Sequence, residues 1–139
     1  LGIEALNLIN INNPRAHKKL MDDVGDPRCK VCFDPTNMLS IEKYFHATEI
    51  IEEGFELLGE DILACHAKDS LITPDRMSAY LTQVPPGQGV NDYETYLVRL
   101  SRMKWPRTLL IEHLSDEQYP AAKAFIESTA ARLGVKIYG

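Results

Sequence analysis

Residues 29–66 read CKVCFDPTNMLSIEKYFHATEIIEEGFELLGEDILACH, and this stretch decides the fold. It begins and ends with short apolar runs, Cys29–Asp34 and Ile62–His66, which have the length of β-strands. Between the runs, apolar residues recur at helical spacing from about Ile41 to Leu58, and Gly59 is a typical stop signal. A strand, a helix and a second strand in this order predict two parallel strands joined by a right-handed crossover.

The same unit occurs on the N-terminal side of this stretch. The run Gly2–Leu6 is apolar, and Asn13 followed by Pro14 is a typical helix start, with Asn13 as N-cap and Pro14 in the first helical position. Gly25 closes this predicted helix. The first unit is therefore again a strand followed by a helix.

Two more units lie on the C-terminal side. A long Pro/Gly-rich loop follows the third strand and reaches Asn91, where the next helix is expected to start. The fourth apolar run is Thr108–Glu112, and Ser115 with Gln118 forms a capping-box pair before a last helix that ends at Gly134. Four alternating units predict an α/β fold with a parallel sheet.

Composition and charge exclude several classes of function. The 139 residues carry a formal charge of -5 without a Lys/Arg cluster, which argues against a nucleic-acid partner. No apolar run approaches the roughly 20 residues of a membrane span, so we expect no membrane partner. Three cysteines and no secretory signal favour the cytoplasm. The chain begins at Leu1 inside an apolar segment, so we expect it to be cut from a longer protein.

Each predicted strand places one group that can bind a metal on the same face of the sheet, and three of the four groups lie at the C-terminal end of their strand. They are found by alternation, since every second residue of a strand points to the same side. The four residues are Glu4, Asp34, His66 and Glu112. Because α/β folds build their sites at the C-terminal ends of parallel strands, three carboxylates and one imidazole there predict a site for one divalent cation.

These residues lie in segments that resemble a known family. The segments are Glu4, FDPTNM at 33–38, CHAKD at 65–69, VPPGQG at 84–89 and the pair Ile111–Glu112. In order and spacing they are similar to the C-terminal half of the sugar phosphate isomerase/epimerase group, the xylose-isomerase-like TIM barrels that also include abasic-site endonucleases. The resemblance covers residues 1–139 and implies strands five to eight of a (β/α)₈ barrel, with strands one to four outside this chain.

The resemblance implies both a cofactor and a reaction. Glu4, Asp34, His66 and Glu112 would bind one divalent ion, manganese, magnesium, cobalt or zinc. The substrate would be a small sugar, polyol or sugar phosphate that is isomerised or epimerised at the carbon beside a carbonyl. In the epimerases of this family the two outer glutamates, here Glu4 and Glu112, move the proton, and the metal stabilises the enediolate.

Further substrate contacts are expected in three segments. The residues concerned are Asn37, Lys68, Asp69, Gly87, Gln88 and Gly89. Lys68 is either a ligand for a substrate oxygen or phosphate or a solvated loop lysine, and Asp69 is also a typical cap of the loop that follows it. The Pro/Gly loop at 85–89 either presents N–H groups to an anion or is a plain turn, and the resemblance favours the first.

Two other functions stay open. The DNA-repair members of the group have further histidines, but Asn37 stands at one of these places and the stretch from Asp75 through Met77 to Val84 has none, which argues against an abasic-site endonuclease. A barrel half with two bare sheet edges could also be a non-catalytic module that binds a metal or a sugar. The sequence leaves the oligomeric state open, a homo-oligomer included.

Overall fold

A computed structural model describes residues 1–73 and 79–138 of the chain. Asp75 and Met77, used above to argue against further metal ligands, lie outside the described residues. None of the helices in the described ranges is both long and apolar enough to span a membrane.

Strands and helices alternate along the chain, with one additional hairpin. The strands are β1 (Gly2–Glu4), β2 (Lys30–Phe33), β3 (Ile62–Ala67), β4 (Asp69–Ile72), β5 (Leu81–Val84) and β6 (Thr108–Ile111). The α-helices are α1 (Pro14–Val24), α2 (Ala47–Leu58), α3 (Tyr93–Ser101) and α4 (Tyr119–Leu133). Short 3₁₀ turns occupy Thr36–Met38, Tyr44–His46 and Gly59–Asp61.

The main sheet has the order β1-β2-β3-β6, and every neighbouring pair is parallel. The order of the strands in the sheet thus follows their order in the sequence, which confirms the predicted α/β class. Helix α1 starts as predicted, because the Asn13 side chain accepts a hydrogen bond from the N–H of Ala16 at 2.9 Å. Gly25 ends this helix in the left-handed conformation, with φ of 62°.

The core lies between the sheet and the helices. Phe33 of β2 packs edge-on against Phe55 of α2, with ring centroids 5.4 Å apart. A Cβ at Gly54 would lie 2.2 Å from the Phe33 ring, so only glycine lets α2 come this close. The Tyr96 hydroxyl donates to the carbonyls of Phe33 and His66, at 3.2 and 3.1 Å. This buried tyrosine therefore ties together the ends of the two central strands.

Helix α2 is shorter than the sequence predicts. We expected a helix from about Ile41, but the α-helix begins at Ala47 after a 3₁₀ turn. Ile41 and Phe45 have helical spacing, yet they are 49% and 81% exposed, so they do not belong to the buried stripe that stabilises the helix. Because these two residues have helical spacing, the predicted helix begins about one and a half turns before the observed one.

The hairpin of β4 and β5 was not predicted. The Pro/Gly-rich composition of this region predicts a long loop, whereas Asp69 pairs with Val84 and Ile72 with Leu81 in an antiparallel ladder. Because β4 starts two residues after β3 ends, the residue pattern of β4 does not stand out in the sequence as that of a separate strand.

The face assignment in β3 needs one correction. Alternation along the strand predicts Leu63 on the buried face and Ile62 on the face of His66, but Ile62 is fully buried and Leu63 is 56% exposed. The register between β2 and β3 shifts between Val31 and Cys32, so that Ile62 lies beside Val31. This irregularity affects only the start of β3.

Candidate metal centre

The C-terminal ends of the four parallel strands bring together one side chain from each strand. Glu4 ends β1, Asp34 directly follows β2, His66 lies near the end of β3, and Glu112 directly follows β6. Each offers one ligand atom, and these atoms all lie within 4.8 Å of one another. Atoms that share one cation at bond lengths of roughly 2.0–2.3 Å have such a spread.

The imidazole of His66 lies at the centre of this group. Its Nδ1 is 2.8 Å from Glu112 Oε1, 3.1 Å from Glu4 Oε1 and 3.5 Å from Asp34 Oδ2. The hydrogen bond with Asp34, and after it the charges of Glu4 and Glu112, raise the pKa of His66 although burial acts in the opposite direction. The three carboxylates therefore favour a positive group, a proton or a cation, on the nitrogen that faces them.

Asp34 is the most enclosed of the carboxylates. It is fully buried, and within the described ranges its Oδ2 accepts no hydrogen bond of acceptable geometry, although the Lys68 ammonium lies 2.8 Å away. Burial alone would raise the pKa of Asp34, but the interactions with His66 and Lys68 outweigh it and lower the pKa. A buried carboxylate oxygen that faces Lys68 and the His66 ring rather than backbone N–H donors is suited to a cation.

Lys68 points into the centre, which answers the question the sequence left open about its direction. Its side chain is 3% exposed, and Nζ lies 2.5 Å from Glu112 Oε1 and 3.3 Å from Asn37 Oδ1. Burial acts to lower the pKa of Lys68, but the hydrogen bonds with Asp34 and Glu112 raise it overall. Three carboxylates and one ammonium leave two negative charges, which one divalent cation beside a neutral His66 would balance.

Asn37 holds the outer carboxylate in place. Its Nδ2 donates to Glu4 Oε1 at 2.6 Å, and its backbone N–H donates to Asp34 Oδ1 at 3.2 Å. Burial raises the pKa of Glu4, and the negative charge of Asp34 adds to this effect. The Asn37 amide, expected to bind a substrate hydroxyl, is thus engaged with Glu4 and Lys68.

The loop at 85–89 is organised around Asp69. Gly87 and Gly89 both donate their N–H to Asp69 Oδ2 at 3.0 Å, while Ser70 and Asn91 donate to Oδ1 at 2.9 Å. The anion that this loop binds is therefore the Asp69 carboxylate. Gln88 is exposed, and its N–H donates to the carbonyl of Pro85 at 3.0 Å. This geometry supports the loop-capping interpretation of Asp69.

Cys32 lies in β2, two residues before Asp34 and on the same face of the sheet. Its Sγ lies 3.3 Å from Nε2 of His66, on the other side of the ring from the carboxylates. Burial, and then the negative charge of Glu4, raises the pKa of Cys32 to about 11. The thiol therefore stays neutral beside the imidazole.

Comparison with known proteins agrees with this architecture. A family model described as a xylose isomerase-like TIM barrel matches residues 1–132. Among curated proteins, none matches the chain. Solved structures do match, and the chain spans a little under half the length of each one described below.

Three of these structures illustrate the likeness. A xylose isomerase domain protein from Planctomyces limnophilus has a TM-score of 0.73 at 21% identity, covering 96% of this chain and 45% of that one. A D-tagatose 3-epimerase-like protein has a TM-score of 0.71 at 15% identity, covering 96% and 47%. A xylose isomerase-like TIM barrel protein from Mycobacterium smegmatis, solved with magnesium, has a TM-score of 0.68 at 13% identity, covering 96% and 44%. The described strands and helices thus form half of a TIM barrel.

Proposed function

The chain belongs to the xylose isomerase-like TIM barrel family, and from this premise we propose that it is the metal-binding half of a divalent-metal-dependent isomerase or epimerase. The substrate is a small sugar, polyol or sugar phosphate, and the ion is manganese, magnesium, cobalt or zinc. In this proposal residues 1–139 are the C-terminal half of the barrel.

The observation that carries the proposal is the convergence of Glu4, Asp34, His66 and Glu112 to within 4.8 Å. These residues would hold the ion, and the ion would supply the positive charge that stabilises a negative oxygen on the substrate. Oxygen and imidazole ligands fit all four candidate ions. The solved structure with magnesium in the same fold supports this assignment.

Glu4 and Glu112 are the residues that we assign to proton transfer. They come from the two outer strands of the sheet and keep 34% and 27% of their side chains exposed, whereas Asp34 has none exposed. The outer carboxylates can therefore reach a substrate while the inner one cannot. One would remove the proton from the carbon beside the carbonyl and the other would return it.

Lys68 completes the charge arrangement. Its ammonium lies between Asp34 and Glu112, at 2.8 and 2.5 Å, in a water-poor position. From there it can donate to a substrate oxygen on which negative charge develops, which agrees with the substrate-binding role expected from the sequence.

The test is proton exchange in D₂O. The protein is loaded in turn with each of the four ions and incubated with a panel of ketoses, ketose phosphates and cyclic polyols that carry a ketone. We expect deuterium to enter at the carbon beside the carbonyl of at least one compound. Glu4→Gln and Glu112→Gln should each lower the rate by at least about 100-fold while keeping substrate binding. The matched control is Glu127→Gln on the exposed face of α4.

Three results would replace this proposal. Metal binding without exchange on any of these compounds would favour a non-catalytic metal- or sugar-binding module. Exchange at the wild-type rate in both glutamine variants would remove Glu4 and Glu112 from the chemistry. Strong incision of abasic duplex DNA would instead assign the chain to the DNA-repair branch, which Asn37 argues against.

A further inference from the structure

The two nitrogens of His66 face different surroundings. Nδ1 faces the carboxylates of Glu4, Asp34 and Glu112, at 2.8 to 3.5 Å. Nε2 faces away from them and lies 3.3 Å from the sulfur of Cys32. The residues that the structure describes give Nε2 no other hydrogen-bond partner. The ring therefore has one side for a cation and one side for a thiol.

A neutral imidazole that binds a cation carries its proton on the other nitrogen. If Nδ1 takes the ion together with the three carboxylates, Nε2 must carry the hydrogen. A partner for this N–H fixes both the tautomer and the plane of the ring, and such partners usually have a measurable effect on metal affinity. In this site the partner is a thiol.

We propose that Cys32 is a positioning residue for the metal centre: its sulfur accepts the Nε2–H of His66 and thereby directs the Nδ1 lone pair at the ion. This inference rests on the metal site of the proposed function. It assigns a role to a residue that the sheet places two positions before Asp34, on the same face of β2. The sulfur lies 3.3 Å from Nε2, within the distance of an N–H···S hydrogen bond.

A competing arrangement makes the sulfur itself a ligand. Glu4, Cys32 and His66 also have donor atoms within 4.8 Å of one another. An ion bound by these three residues would need the thiolate of Cys32, and it would leave the buried oxygen of Asp34 without a cation other than Lys68. The four-residue set uses that oxygen, which is the reason to prefer it.

Cobalt titration separates the two arrangements. Co²⁺ is added to the metal-free protein and followed by its visible absorption and by calorimetry. We expect binding without the near-ultraviolet charge-transfer band of a thiolate ligand. Cys32→Ala should weaken Co²⁺ binding by about 10- to 100-fold, and Cys32→Ser, which keeps an acceptor, should restore most of it. The control is Cys29→Ala, a buried cysteine whose sulfur lies near Met21.

The ring nitrogens can also be observed directly in the wild type, which keeps the inference testable if Cys32→Ala does not fold. In the zinc-loaded protein, long-range ¹H–¹⁵N correlation spectra should show His66 with a hydrogen on Nε2 and with Nδ1 bound to the metal. The opposite assignment, or a thiolate band that disappears in Cys32→Ala, would overturn the inference and make Cys32 a ligand.

The outcomes distinguish this inference from the proposed function. Wild-type protein that binds no divalent ion refutes both. Wild-type binding with unchanged affinity in Cys32→Ala refutes only the role of Cys32 and leaves the metal centre intact. Equal losses in Cys32→Ala and Cys32→Ser would show that the volume of the sulfur matters rather than its hydrogen bond.

Discussion

Asp34 and Asp69 are both fully buried, but different groups surround their carboxylates. Asp34 directly follows β2 and Asp69 begins β4, near the same end of the sheet. Four backbone N–H groups donate to Asp69, from Ser70 and from three residues of the 85–91 segment. Asp34 accepts one backbone N–H, from Asn37, and otherwise faces the imidazole of His66 and the ammonium of Lys68.

The difference separates a structural carboxylate from one that can bind a ligand. The charge of Asp69 is solvated by N–H groups that belong to the fold, so no electron pair is left over for an ion. Asp34 instead relies on cations, and a metal ion can contribute to this set or compete with it. The number of fixed donors around a buried carboxylate therefore predicts its role better than its burial does.

The largest effect is expected from Asp69→Ala. It leaves four N–H groups without their acceptor and should lower the free energy of unfolding by roughly 3–5 kcal/mol. Chemical denaturation of the metal-free protein measures this, with Asp69→Asn as the milder variant that keeps one oxygen. Asp116→Ala, at an exposed position, is the control. An unchanged denaturation midpoint in Asp69→Ala would contradict the structural role.

Asp34→Ala should have its main effect on metal binding. We expect the affinity for a divalent ion to fall by at least about 100-fold, because no other described oxygen occupies its place. The cost in stability should be smaller than for Asp69→Ala, since Lys68 keeps Glu112 at 2.5 Å as its partner. Calorimetric titration measures the affinity, and Asp22→Ala on the exposed face of α1 is the control. Undiminished binding would place the ion elsewhere.

Gly89→Ala tests how tightly the loop encloses Asp69. The new Cβ would lie 2.3 Å from the Ser70 carbonyl oxygen and 2.4 Å from Asp69 Oδ1, so the backbone has to move. We expect a loss of stability of roughly 1–3 kcal/mol with metal affinity little changed. Gly2→Ala is the matched control, because its Cβ would have its nearest neighbour at 3.6 Å. Equal stability of the two variants would show that the loop can rearrange around the new Cβ at little cost in free energy.

The site residues at the four strand ends can be predicted from the sequence, because every second side chain of a strand points to the same side of the sheet. Glu4, Asp34, His66 and Glu112 all follow from the strand runs, and the structure brings them together. The sequence left the role of Asp69 open between a substrate contact and a loop cap, because three of the donors to Asp69 come from about 20 residues further along the chain.

Two other features depended on packing that the sequence does not display. The start of α2 was placed too early because Ile41 has the right spacing but remains half exposed. The burial of Lys68 results from the positions of Asp34 and Glu112 on two other strands, and no local pattern around Lys68 distinguishes it from a solvated lysine.

The smallest expected effect is at Asn37, which contacts the metal centre only through other residues. Asn37→Ala removes the amide that donates to Glu4 Oε1 at 2.6 Å but keeps the backbone N–H that donates to Asp34. We expect about a 10-fold loss of metal affinity, because Glu4 then gains rotational freedom while Asp34 keeps its position. Asn37→Asp should cost more than Asn37→Ala, since it adds a negative charge beside Glu4 and removes the same donor. If both variants bind the ion as the wild type does, Glu4 does not depend on Asn37, and the asparagine amide is then free for the substrate contact that the sequence suggested.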